Sequence, residues 1–286
     1  MTLWLRYEET REDHTVTGDL RVCKAFHSPE LGNTRDILVW LPPSYGAGTK
    51  RYPVIYMHDG QNLFDARTSY VGEWGVDETL TALSAEGLET IVVGIPHMND
   101  LRIVELNPYQ SPRPGVPDGR GDDYLRFIIN TLKPLIDADF RTLPEKETTG
   151  IAGSSMGGLI SLYGFLMHQE VFGLCGAFST AYWFGRGRLY EAIEAKAHGG
   201  GKIYLDVGTK EGHVFAPSPL NLITGGKNGN RRYFQGVQRL AKVLRTYGYR
   251  DGENLLYVED EGGLHNESAW ARRLPDAFRF LIPRLG

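Results

Sequence analysis

The sequence predicts an α/β fold, a mostly parallel central sheet with helices on both faces. Three observations carry that expectation: short apolar runs bounded by glycine or proline, amphipathic stretches between them, and the regular alternation of the two. Buried-type strands read at Val54–His58, Thr90–Ile95, Thr148–Ala152, Leu174–Phe178, Lys202–Val207 and Asn254–Glu259. A strand covered on both faces has no polar side to show, which is why such runs are continuously apolar. Ahead of them come Leu20–Phe26 and Asp36–Leu41, joined without a helix. That pair is expected to run antiparallel at one edge of the sheet.

Helical spacing is clearest in Asp123–Asp137, where Leu125, Ile128, Ile129, Leu132, Leu135 and Ile136 fall on one face. Pro134 is expected to kink or end that helix, because it has no N–H and crowds the preceding turn. Phe234, Val237, Ala241 and Leu244 mark a second helix over 231–247, and Trp270, Leu274, Ala277, Phe278 and Leu281 a third at the C-terminus. No repeat, charge block or low-complexity linker divides the 286 residues, so one domain over 1–286 is expected.

Composition excludes several classes. A formal charge of −4 lacks the basic excess of a nucleic-acid binder, and no apolar run approaches the roughly 18 residues of a membrane helix. The start, MTLWLRYEETREDH, has no basic region followed by an apolar core; no signal peptide is read, and a cytoplasmic protein is expected. Cys23 and Cys175 read as reduced core cysteines, too few for a zinc site or a disulfide framework. Glycine supplies 35 residues, well above the usual share of about 7%, so close backbone approaches are expected. Two long irregular stretches, 96–121 and 208–230, each follow a strand. Ligands bind beyond the carboxyl ends of strands in such sheets, so both stretches are expected to wall a site there.

The chemistry centres on Gly153-Ser154-Ser155-Met156-Gly157-Gly158. It matches the G-x-S-x-G turn, in which a serine is held on a strained strand-to-helix bend and the flanking glycines permit the crowding. The strand TTGIA before it and the helix LISLYGFLMH after it supply the required context, with Ser155 as nucleophile and Ser154 only its neighbour. A serine hydroxyl needs a base to take its proton. Of eight histidines, His265 occupies the loop beyond the last strand, where such folds carry the base; His213, one loop earlier, is its rival. The orienting acid should follow the strand KIYLDV, which offers Asp206 and Glu211. Loop placement favours Glu211, because triad acids project from strand ends. An oxyanion is expected to take the N–H of Met156 and one from the turn after VIYMH, either Gly60 or Gln61. Trp183 reads equally as a cleft wall or as core, Trp74 as packing rather than ligand contact, and Arg102 with Glu105 as an ion pair organising the 96–121 loop rather than as substrate contacts.

Over nearly its whole length the chain resembles the Putative esterase family of the α/β hydrolases, which includes siderophore esterases, feruloyl and acetylxylan esterases and S-formylglutathione hydrolase. The resemblance is carried by LPPSY, RYPVIYMHDGQNLF, IVVGIPHMNDLRIVELNP, LKPLIDADFRT, IAGSSMGGL, YLDVGTKEG and GGLHNESAW. It implies the same triad, Ser155, Glu211 and His265. The HDGQNLF turn and the R-x-x-E-L of Arg102 and Glu105 are closer to siderophore-esterase-like members. Together these readings lead to a serine carboxylesterase acting on a small-molecule ester through an acyl-serine, without metal or organic cofactor. Two alternatives stay open: an acyltransferase using the same triad, and a catalytically silent hydrolase-like binding protein.

Overall fold

The computed structural model describes residues 3–284 apart from 112–114, 116, 198–199 and 215–226. Among the described residues nine strands form one sheet: β1 (Leu5–Arg6), β2 (Asp19–Ser28), β3 (Asn33–Leu41), β4 (Val54–His58), β5 (Ile91–Ile95), β6 (Thr149–Ser154), β7 (Leu174–Phe178), β8 (Lys202–Gly208) and β9 (Leu255–Asp260). Their spatial order is β1-β2-β3-β5-β4-β6-β7-β8-β9. From β5 to β9 every pairing is parallel, and β2, β3 and β5 are joined antiparallel. The initial pair is therefore antiparallel as its short connection requires, but it is one strand in from the edge. The two-residue β1 pairs outside it, too short to leave a pattern.

Successive side chains of each strand enter opposite cores, because strand residues alternate faces. Ile37, Val39, Tyr56, Val93, Ile151, Cys175 and Leu205 join one apolar cluster, and Leu38, Trp40, Met57, Val92, Ala152 and Tyr204 the other. The first cluster is covered by α3 (Gly121–Arg126), α4 (Lys133–Asp139), α5 (Met156–Met167), α6 (Arg188–Lys196) and α7 (Lys227–Thr246). The second is covered by α1 (Val76–Ser84) and α8 (Glu267–Leu281). Cys23 and Cys175 are both buried and free. No helix among the described residues is long and apolar enough to cross a membrane.

Two expectations about elements need correction. Pro134 does not end its helix. The chain stays helical from Gly121 to Asp139, through a wide π-turn at Phe127–Leu132 between α3 and α4. The unmade bond of the proline is taken up by that looser turn just before it. The second irregular stretch ends earlier than residue 230, because α7 already begins at Lys227; its residues 215–226 lie outside those described.

The first stretch carries a short helix, α2 (Arg102–Glu105). Its Glu105 does not pair with Arg102. It accepts from Arg35 of β3 at 2.8 Å, with both side chains almost wholly buried, and from Asn33 Nδ2 at 2.7 Å. A lone guanidinium left in that interior would cost far more than the pair contributes. Glu105→Gln is accordingly expected to lower unfolding free energy by about 3–5 kcal/mol, while Arg35→Met with Glu105→Leu recovers most of the loss. Urea unfolding of the three proteins measures both.

Candidate active site

The chain leaves β6 and enters α5 through Ser155, whose φ of 58° and ψ of −114° lie outside every ordinary region for a residue with a side chain. Such a conformation costs on the order of 1–3 kcal/mol and persists only where its surroundings enforce it. Here they do. The Ser155 N–H donates to the Phe178 carbonyl at 2.9 Å, and the Ser155 carbonyl accepts from Ala181 at 3.0 Å. A Cβ at Gly153 would lie 2.9 Å from His58 and 3.0 Å from the Gly157 Cα, so the two flanking glycines are what let the bend close.

The residues expected as acid and base come from neighbouring strand ends. Glu211 follows β8 and His265 follows β9, and the two loops are clasped by backbone: Thr209 N–H to the Asp260 carbonyl at 3.0 Å, Lys210 N–H to the Gly263 carbonyl at 2.9 Å. Gly208 is required where they cross, since a Cβ there would meet the Gly263 carbonyl oxygen at 2.3 Å. The clasp brings Glu211 Oε2 to 3.0 Å from His265 Nδ1. His213, the rival base, is exposed, its ring centroid 6.2 Å from that of His265.

Glu211 is completely buried and every approach to Oε1 is occupied. The Gly208 N–H donates at 2.6 Å, the Ser179 hydroxyl at 2.7 Å, and Arg273 Nη1 stands 3.7 Å away. Arg273 also faces Asp206, with Nε 3.1 Å from Oδ2 as an ion pair. Asp206 keeps to its strand, accepting from the Ser179 N–H and the Tyr204 hydroxyl, both at 2.8 Å. Burial pushes its carboxyl up to about 6 against the pull of Arg273. Trp270 Nε1 and Arg273 Nη2 donate to the Ser179 oxygen at 2.9 and 3.2 Å, and the Tyr233 hydroxyl donates to the Ser179 carbonyl. Sequence reasoning missed Ser179, Tyr233 and Arg273. Only Arg273 left a signal: it falls between Trp270 and Leu274 on the buried stripe of α8, where an apolar residue belongs.

Ser155, His265 and Trp270 line a cleft of about 580 Å³ with Asp59, Asn62, Tyr70, His97, Arg102 and Glu267. The 96–121 stretch thus forms a wall of it. Ser155 Oγ makes no hydrogen bond to His265 among the described residues, an open arrangement that serine enzymes tighten when substrate enters. Met156 opens α5, so its N–H has no carbonyl partner within the helix. Gly60 and Gln61 open a 3₁₀ turn, Gly60–Asn62, and their N–H groups are free within the turn for the same reason.

Arg102 needs a second correction. It does not meet Glu105; it grips both oxygens of Asp59, at 2.7 Å each. Trp183 lies outside the Ser155 cleft, in the wall of an adjoining cavity of about 610 Å³ with Tyr109, Phe184, Arg186 and Arg188. Its ring sits 4.9 Å from Tyr233, which in turn stands 5.5 Å from His265. Trp74 packs between Phe178 and Trp270. Among the described residues one group, Glu73, Asp77 and Glu78, has carboxylates close enough for a cation, and none of the three lines the cleft.

Beneath the elbow lies His58, fully buried, with Nδ1 2.8 Å from the Tyr124 hydroxyl and Nε2 without a partner. Burial lowers its pKa to about 4. The unfolded chain, with a histidine near 6.5, then binds the extra proton between those values, so stability is full above about pH 6.5 and falls as pH drops towards 4. The expected loss is on the order of 3 kcal/mol. Urea unfolding at pH 7 and pH 4.5 should show a steeper fall for wild type than for His58→Gln.

A family model described as Putative esterase matches residues 28–281. YbbA of Bacillus subtilis is 25% identical over 258 residues, covering 88% of this chain and 94% of that protein. Among solved structures, the BES protein from Bacillus cereus superposes with a TM-score of 0.71 at 19% identity, covering 95% of this chain and 97% of that one. The enterobactin esterase FES from Shigella flexneri, crystallised in the presence of enterobactin, gives 0.68 at 21%, covering 94% of this chain and 59% of that longer one.

Proposed function

The chain belongs to the Putative esterase family, and from that premise we propose that it is a serine carboxylesterase whose triad is Ser155, His265 and Glu211. The observation that carries the reading is the 3.0 Å contact of buried Glu211 with His265 Nδ1, in a cleft that Ser155 shares. With Nδ1–H donated to Glu211, the other ring nitrogen, Nε2, is the proton acceptor. It takes the Ser155 proton as Oγ attacks the ester carbonyl. The oxyanion is held by the N–H of Met156 and of Gly60 or Gln61, each donor contributing about 3 kcal/mol. His265 returns its proton to the departing alcohol, and a water molecule activated in the same way releases the acid. The reaction needs no metal or organic cofactor.

Electrostatics favour this division of roles. Asp206, Glu211 and Asp260 all face Arg273, which leaves negative charge in excess beside the ring that becomes cationic. For substrate, the structural likeness to an enterobactin esterase and the apolar wall supplied by Tyr70, Val71 and Trp270 support siderophore-type or aromatic esters.

Ser155→Ala is expected to lose ester turnover by several orders of magnitude, and a fluorophosphonate should label wild type but not the variant. Labelling of the folded variant would remove Ser155 from its role. The two acids are separated by a second pair of variants. Glu211→Gln should lower turnover of a p-nitrophenyl ester by roughly 10⁴-fold in a protein that still folds, with a loss of melting temperature no larger than that of Asp206→Asn. Asp206→Asn should act mainly by lowering the melting temperature, because it loosens Arg273 and Ser179. The reverse pattern would make Asp206 the orienting acid. Products formed with and without an alcohol acceptor report whether water is the only second substrate.

A further inference from the structure

Asp59 is the hinge between β4 and the turn that presents the Gly60 and Gln61 amides. Its backbone sits at φ 56° and ψ 45°, a left-handed conformation unfavourable for a residue with a Cβ. Asparagine and aspartate tolerate this region when their side chains bond locally, yet the Asp59 carboxylate is turned away to Arg102. The grip is bidentate, 2.7 Å to each oxygen, with Asp59 buried and Arg102 a quarter exposed. Burial alone would raise the Asp59 carboxyl; the Arg102 guanidinium overcomes it and holds the group below the usual carboxylate range.

Arg102 is itself anchored. It opens the four-residue α2, and at the other end of that helix Glu105 is fixed to Arg35 and Asn33 of β3. The helix is therefore a short strut with an ion pair at each end, one in the sheet and one on the turn. Further contacts tie the same parts together. The Gln61 side-chain oxygen accepts from the His97 N–H at 3.2 Å, and the Gly60 Cα packs so closely on the end of β5 that a Cβ would lie 2.7 Å from the Gly94 carbonyl carbon.

We propose that Arg102 is a positioning residue for ester cleavage: it locks Asp59 in its left-handed conformation and so aims the Gly60 and Gln61 amides at the developing oxyanion. This rests on the serine-esterase reading. A misplacement of about 1 Å in such a site costs roughly 100-fold in rate, and the penalty falls on the transition state rather than on substrate binding.

The test uses the full chain and a p-nitrophenyl ester, with variants Arg102→Ala, Arg102→Lys, Asp59→Asn and Asp59→Asn with Arg102→Ala. Each Arg102 variant should lower kcat by roughly 10- to 100-fold, with KM within about twofold and the fluorophosphonate reaction slowed in proportion. Asp59→Asn should match it, and the double variant should be no worse than either single one, since both break one contact. Guanidinium ion at tens of millimolar should restore part of the kcat of Arg102→Ala and leave wild type unchanged. If Arg102→Ala melts well below wild type, the kcat loss of Arg102→Lys carries the test. An unchanged kcat, a loss confined to KM, or additive losses in the double variant would overturn the proposal. A wild type that neither cleaves esters nor takes the fluorophosphonate overturns the esterase reading beneath it. An active wild type with unaffected Arg102 variants overturns the strut alone.

Discussion

One buried guanidinium holds this site together. Arg273 stands between Asp206 and Glu211, two fully buried carboxylates, with Nε 3.1 Å from the first and Nη1 3.7 Å from the second. Its Nη2 donates to Ser179, while Nε and Nη1 face the carboxylates only as ion pairs. Ser179 supplies a hydroxyl to Glu211 and an N–H to Asp206 while accepting from Trp270 and Arg273. Networks of this kind are stable when complete and expensive when broken, which gives Glu211 a single orientation. His265 takes its position from Glu211.

The same network accounts for the bend at Ser155. Ser179 is itself held at a positive φ of 43°, directly after the Phe178 carbonyl that receives the Ser155 N–H. The strained serine and the buried acid are thus tied to consecutive residues at the end of β7. Backbone strain at Ser155 and desolvation at Glu211 are two costs met by one rigid strand end. Glycines appear where these segments cross: Gly153 and Gly157 under the elbow, Gly208 between the acid and base loops. At Gly153 and Gly208 a methyl group would collide with backbone or with the buried His58 ring, and at Gly157 it would press on the His58 Cβ at 3.3 Å.

Local features were legible in the amino-acid order because their causes are local. The alternation of apolar strands and amphipathic helices, the G-x-S-x-G bend and the placement of Glu211 and His265 after successive strands all depend on near neighbours in the chain. Pro134 shows the limit even of local rules: it was expected to kink or end its helix, yet the chain stays helical past it, with a π-turn at Phe127–Leu132 just before. Trp183 shows another. As an aromatic after a strand it belonged equally to core or cleft, and it lies in the wall of a neighbouring cavity that two separate loops create.

The sequence by itself determined the fold class, the strained serine and the chain order of acid and base, since each is written in periodicity, turn chemistry or spacing within a short segment. Only the tertiary structure decided which charges meet. Arg102 and Glu105, three residues apart in one loop, look like partners; Arg102 instead reaches the turn after β4 and Glu105 reaches β3. The reason is the sheet order β3-β5-β4, which no local pattern records. The loop leaving β5 emerges between the start of antiparallel β3 and the end of parallel β4. Arg102 therefore finds Asp59 on one side and Glu105 finds Arg35 on the other.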